Sequence, residues 1–251
     1  MLSEIIASVS IIPMLIYVLK KNTLIGTLAW SIFSMACITK SLEFFNSKDY
    51  VNFVIFLLGA VFFVFMAKSI LSRNSRTFVE VTSFSALACI FYFPFVFIPQ
   101  LNSTIIDSTA LLTAEIGKIL GYPMNANGKV VELNSCSVEI ILPCTAIESM
   151  ALFAGATLGI SANIKRKLKA FLLSVPIIYS LNLFRNVFVI VSFAYSIFGE
   201  DSFYIAHHVI AKILSFIALL AIAYVVFRIL PELTELIYSL KYEIARGVRV
   251  D

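Results

Sequence analysis

Three groups of polar residues stand inside otherwise apolar runs, and together their types suit acyl transfer. The first is Pro143-Cys144-Thr145-Ala146-Ile147-Glu148-Ser149, which sets a thiol and a carboxylate four positions apart. On a helix that spacing puts Cys144 and Glu148 on one face. Pro143 suits a first helical turn, where its missing N–H is not needed. A thiol at a helix N-terminus is biased toward thiolate, the form that attacks a carbonyl. The second group is Asn182, Arg185 and Asn186 within SLNLFRNVFVIV, again sharing one helical face. Arginine keeps its positive charge, so Arg185 calls for a partner or an oxyanion. The third is His207-His208, the chain's only two histidines, with Lys212 four residues past His208.

Each group also has a plainer reading. A lone cysteine in an apolar helix packs as a small hydrophobe. An arginine in a span can snorkel to the interface or pair with a carboxylate such as Glu148. A histidine in an apolar run is more often structural. Adjacent histidines point about 100° apart on an α-helix, which makes them poor joint metal ligands.

What separates the readings is depth, and depth follows from the elements that carry the residues. Of the chain's 251 residues 60% are hydrophobic and 14% charged, with a mean hydropathy of +0.97. Soluble domains carry roughly 45–50% apolar and about 25% charged residues, so lipid is the solvent here. Seven runs are long and apolar enough to be read as spans, given a hydrocarbon core about 30 Å thick. They lie near 3–19, 23–39, 50–67, 78–98, 143–161, 170–197 and 203–227. The first lacks a basic leader and a small-residue cleavage site, and reads as a span that stays.

Lysine and arginine set the orientation. The connections at 20–22, 68–76, 163–169 and 228–251 hold thirteen basic residues, against four in the N-terminus, 40–49, 99–142 and 199–202. The first set is expected in the cytosol, which leaves the long 99–142 loop outside. Within it, TIIDSTALLTAEIGKIL (104–120) has helical spacing suited to an interfacial helix. Asn127-Gly128 is a turn signal, and KVVEL and CSVEIIL flank Asn134-Ser135 as a hairpin would. The expected fold is thus an all-α polytopic membrane protein of about seven transmembrane helices. A small extracytosolic helix and hairpin precede the cysteine helix. No internal repeat or low-complexity linker divides it, so residues 1–251 read as one domain. Nucleic-acid binding is disfavoured, since no basic stripe with interleaved aromatics stands outside the apolar runs. Four scattered cysteines without a CxxC make no disulfide framework, and no cofactor or metal site is expected.

On that topology Cys144 begins an inward-running span. Arg185 lies about 22 Å along an outward-running one entered near residue 170. The histidines begin the next inward-running span. Three groups remote in sequence therefore meet in one layer near the outer face: a nucleophile, a fixed cation and a base.

These residues resemble the motifs of the archaeosortase/exosortase family, most nearly its archaeosortase A-like members. Pro-Cys-Thr-Ala-Ile-Glu-Ser-Met (143–150) resembles the family's Cys-Thr-Gly-Ile motif, with Ala146 where the family has Gly. Asn-Leu-Phe-Arg-Asn-Val-Phe (182–188) is similar to its Arg-Asn motif. Tyr-Ile-Ala-His-His-Val-Ile-Ala-Lys (204–212) resembles the third motif, which carries His in most members and Arg in some archaeal ones. Arg228 through Leu-Pro-Glu-Leu (230–233) is similar to the end of the archaeosortase A-like proteins, so the motif-bearing part spans 140–235. The resemblance implies a cysteine transpeptidase in the cell membrane with its site facing outward. It would act on secreted or surface proteins bearing a C-terminal signal: a short motif, a transmembrane helix and a basic end. It would pass the new C-terminus to an acceptor, in archaeosortase A-like members a membrane lipid. Carried over by motif, Cys144 is the nucleophile, Arg185 supports the thiolate or oxyanion, and His208 is the acid/base, with His207 as the alternative. Two other classes stay open. One is a thiol/disulfide protein using Cys136 and Cys144. The other is a transporter or receptor in which Glu148, Arg185 and Lys212 contact substrate or neighbouring helices.

Overall fold

A computed structural model describes residues 2–248. The chain opens with α1 (Leu2–Val9) and α2 (Ile11–Lys20), which form one apolar segment interrupted at Ser10. Next come α3 (Thr23–Asn46), α4 (Tyr50–Ser72) and α5 (Arg76–Phe97). Their starts are written in the sequence. Asn22 accepts from the Leu24 and Ile25 N–H groups, and Asp49 accepts from Asn52 N–H, as N-caps do. Then follow α6 (Pro99–Ile119) and three strands, β1 (Asn125–Asn127), β2 (Val130–Leu133) and β3 (Cys136–Glu139). The rest is helical: α7 (Ile147–Leu158), α8 (Ile164–Leu172), α9 (Val175–Ala194), α10 (Ser202–Tyr204), α11 (Ala211–Ile229) and α12 (Pro231–Val248).

The protein is a polytopic all-α membrane protein. Among the described residues six helical segments, not seven, have the length and apolarity of a span. The difference lies in the run at 143–161, which yields only the 12-residue α7. At 1.5 Å per residue α7 is about 18 Å long, short of the hydrocarbon thickness. It is short because the backbone around Pro143 and Cys144 takes a tighter turn and breaks at Ala146 before the helix begins. The span expected at 170–197 is interrupted too: α8 stops at Leu172, and α9 starts afresh at Val175 ahead of Pro176.

The chain forms two compact units. One comprises Met1–Phe93, Gly155–Asn163 and Leu230–Asp251. The lone tryptophan, Trp30, anchors it by donating to Thr82 Oγ1 at 2.9 Å and stacking on Phe63 at 5.1 Å between centroids. Gly155 and Gly159 let the end of α7 lie against α5, since a Cβ at Gly159 would sit 2.5 Å from Phe84 Cα. Lys40 of α3 binds Glu4 of α1 at 2.7 Å and Glu43 at 3.0 Å, and Ser3 donates to Glu43 at 2.9 Å. A partly buried charge is stable when paired in this way.

The other unit comprises Pro94–Ala154 and Ile164–Ile229. The strands form an antiparallel sheet of order β1-β2-β3, with Val131 opposite Val138 and Leu133 opposite Cys136. Asn134 turns the expected hairpin with φ +54° and Gly128 turns the preceding one with φ +56°. Along α6 the small residues Thr109, Ala110, Thr113, Ala114 and Gly117 form one buried face. Ala110 and Ala114 meet Val131, Leu133 and Ile140 of the sheet region and Val187, Ile190 and Val191 of α9. Cys144 packs against this same core.

Candidate active site

Cys144 sits in a 3-10 turn, Leu142–Thr145, that links the sheet to α7. Its N–H donates to Ile141 C=O at 2.8 Å, and the buried Thr145 hydroxyl closes the turn onto Leu142 C=O at 2.7 Å. Ala146 follows in the left-handed region, φ +59° and ψ +16°. That reverses the expected arrangement on α7. With a left-handed residue between them, Cys144 and Glu148 do not share a helix face, and the helix starts at Ile147 rather than under the thiol. The break also explains what a glycine does in the resembling motif. Glycine adopts this conformation freely, whereas alanine is strained there by roughly 1–2 kcal/mol.

The turn is fixed from α9. Asn182 and Asn186, both nearly fully buried, donate their side-chain amides to the one backbone carbonyl of Cys144, at 2.7 and 3.1 Å. A spacing of four puts both amides on one face, and the carbonyl has two lone pairs to receive them. Sequence reading found the polar stripe but not its target. Two amides at i, i+4 in an apolar span are the visible signal, while the acceptor lies about forty residues away in a different element.

Arg185 stands on α9 between these asparagines, and its Nε is buried without a hydrogen-bond partner. Cys144 lies within its electrostatic reach. An arginine N–H left unpaired in a protein interior is costly unless a ligand takes it up.

The histidines fall in a π turn, Ile205–Ile210, between α10 and α11. Such turns are rare and recur at functional sites. The two rings meet edge to face, 4.6 Å between centroids. His207 is half-buried and stacks on Phe203, while its Nδ1 is buried without a partner. Arg185, His208 and Lys212 are all within its electrostatic reach. His208 is exposed and leans on Tyr204 at 5.1 Å. The π turn does not keep the α-helical step of about 100° between adjacent residues.

A cavity of about 610 Å³ adjoins the site, lined by Pro143, Ala146, Asn182, Arg185 and Lys212 among mostly apolar side chains of α9 and α11. Lys212 thus faces the same space as Arg185. Cys136 and Cys144 are both free thiols. Among the described residues no three His, Cys, Asp or Glu side chains converge as a metal site would need.

Residues 8–234 match a family described as transmembrane exosortase. The chain belongs to that family. It is also similar to Archaeosortase A of Haloferax volcanii, 29% identical over 171 residues, covering 58% of this chain and 56% of the relative. Archaeosortase A of Natronomonas pharaonis is 33% identical over 116 residues, covering 39% of this chain and 37% of the relative. The chain thus spans about half or less of the length of these curated relatives. No solved structure matches it. The exosortase-family match runs through both compact units and contains Cys144, Arg185 and both histidines.

Proposed function

We propose that this chain is a membrane-embedded cysteine transpeptidase of the sorting type. It cleaves a C-terminal signal on secreted or surface proteins and hands the new C-terminus to an acceptor, a membrane lipid. Its site faces the extracytosolic side of the cell membrane, as the thirteen-to-four basic asymmetry of the connections supports. The observation that carries the reading is the convergence of Cys144 with two buried, unpartnered nitrogens, Arg185 Nε and His207 Nδ1, in one unit.

In this mechanism Asn182 and Asn186 are positioning residues that hold the Cys144 backbone. The Cys144 thiolate attacks the scissile carbonyl carbon, and Arg185 stabilises the oxyanion. The C–N bond then breaks. Its nitrogen leaves as an amine with a proton supplied by the histidine, and a thioester remains on Cys144. An amine or hydroxyl of the acceptor loses its proton to the same histidine and attacks the thioester, releasing the thiolate. We assign the acid/base role to His207, whose Nδ1 is buried without a partner, with His208 as the alternative.

The test is processing of a tagged secreted reporter that ends in a motif, a transmembrane helix and a basic tail. Cys144→Ala or Cys144→Ser is expected to abolish processing at normal protein levels, while Cys136→Ala processes the reporter. Equal loss from both cysteine variants would replace this reading with disulfide chemistry.

A further inference from the structure

The strand leading into the nucleophile has an open edge. β3 is an outer strand of the sheet and pairs only with β2 within it. Ile140 N–H donates to Lys129 C=O at 2.8 Å, so Ile140, Val138 and Cys136 turn their backbone groups toward β2. In an antiparallel ladder the intervening residues face the other way. The N–H and C=O groups of Ser137 and Glu139 therefore point outward, and among the described residues no hydrogen bond takes them up.

An unpaired edge is a template for another strand, and proteins normally blunt or cover it. This one instead runs into the candidate site. Four residues separate Glu139 from Cys144. Beside the join lies a cavity of about 530 Å³, lined by Asn102, Asp107, Glu139, Ile141 and Pro143. The opposite side of the strand is anchored, with Ile140 buried in the core that also supports Cys144.

We infer that the Ser137–Glu139 edge binds the substrate's extended sorting motif as an added fourth strand, parallel to β3, and so delivers the scissile bond to Cys144. The inference rests on the transpeptidase reading. The direction follows from both chains: β3 runs N to C toward Cys144, and the motif runs N to C toward the bond that is cut. Backbone pairing supplies affinity, and alternate motif side chains enter the cavity beside Pro143.

Disulfide trapping tests this apart from turnover. In a Cys136→Ser, Cys144→Ala background, Ser137→Cys or Glu139→Cys is combined with single cysteines placed along the motif of the tagged reporter, and membranes are oxidised. The expected result is two traps in parallel order. Glu139→Cys captures a reporter position about two residues nearer the cleavage site than Ser137→Cys does, the strand repeat. The reversed order overturns the inference, as does no trap at either position. Trapping between two copies of the chain, undiminished by reporter, overturns it in favour of self-association.

A second variant reads the same edge with the nucleophile in place. Ser137→Pro removes one outward N–H and leaves the β2 pairing alone, a position where proline is tolerated. Loss of one such hydrogen bond is expected to lower processing about tenfold. Full processing by Ser137→Pro, with Cys144→Ala inactive, overturns the docked strand and leaves the transpeptidase reading standing. Equal reporter processing by wild type and Cys144→Ala overturns the transpeptidase reading instead.

Discussion

The two units treat buried polar groups in opposite ways. In the unit built on α1–α4, the indole of Trp30 has Thr82, and the Lys40 ammonium has Glu4 and Glu43. In the unit that carries Cys144, four buried side-chain atoms are left without partners: Thr113 Oγ1, Arg185 Nε, Ser192 Oγ and His207 Nδ1. A buried polar group without a hydrogen bond costs about 1–3 kcal/mol in stability. The first unit avoids that cost by pairing. The second carries it at two nitrogens of the candidate site, Arg185 Nε and His207 Nδ1, where a ligand would supply the missing acceptor.

That contrast can be broken from either side. The largest effect is expected at Arg185. Arg185→Ala should lower reporter processing by about a thousandfold, the scale of losing an oxyanion donor, while thermal unfolding in detergent stays the same or rises. Arg185→Lys keeps the charge but loses the planar fork, and a loss of about a hundredfold is expected. A fully active Lys variant would reduce the residue to a point charge.

The histidines come next. His207→Ala should cost about a hundredfold in processing, and His208→Ala should cost less, because of the two rings only His207 has a buried nitrogen without a partner. The reverse order of activities would return the acid/base role to His208. Normal processing by both variants would make the pair structural.

In the paired unit the sign of the result changes. Lys40→Met strands two carboxylates that are themselves partly exposed, and about 1–2 kcal/mol of stability should be lost, between the surface and buried cases. Melting of purified protein reads this directly, and an unchanged midpoint would mean the cluster is no scaffold. The smallest effect belongs to Ala146→Gly. Relief of the left-handed strain should raise stability by about 1 kcal/mol, seen as a higher melting midpoint. A lowered midpoint would show that the methyl group is packed rather than strained.

Much of this protein was legible in the sequence because the information is local. A run of apolar residues is its own evidence for a helix in lipid. Asn22 and Asp49 cap the helices they precede, and Asn134-Ser135 turns the hairpin that its flanking strands suggest. The polar stripe of Asn182, Arg185 and Asn186 on one helical face could likewise be read from spacing within its run. Four things were not local, and only the tertiary structure decided them. The run at 143–161 divides into a turn and a short helix because Ala146 is held left-handed, a conformation that no apolar count reveals. β1 is the three residues Asn125-Ala126-Asn127, too short for any period to show until β2 lies beside it. Asn182 and Asn186 are an unexplained stripe until the Cys144 carbonyl arrives to accept both amides. The relative direction of His207 and His208 is set by a π turn, whose angles depart from the α-helical step that any reading of adjacent residues assumes. Periodicity reports which face a residue takes within its own element. What that face meets is settled by packing between elements, and the candidate site is made of such meetings.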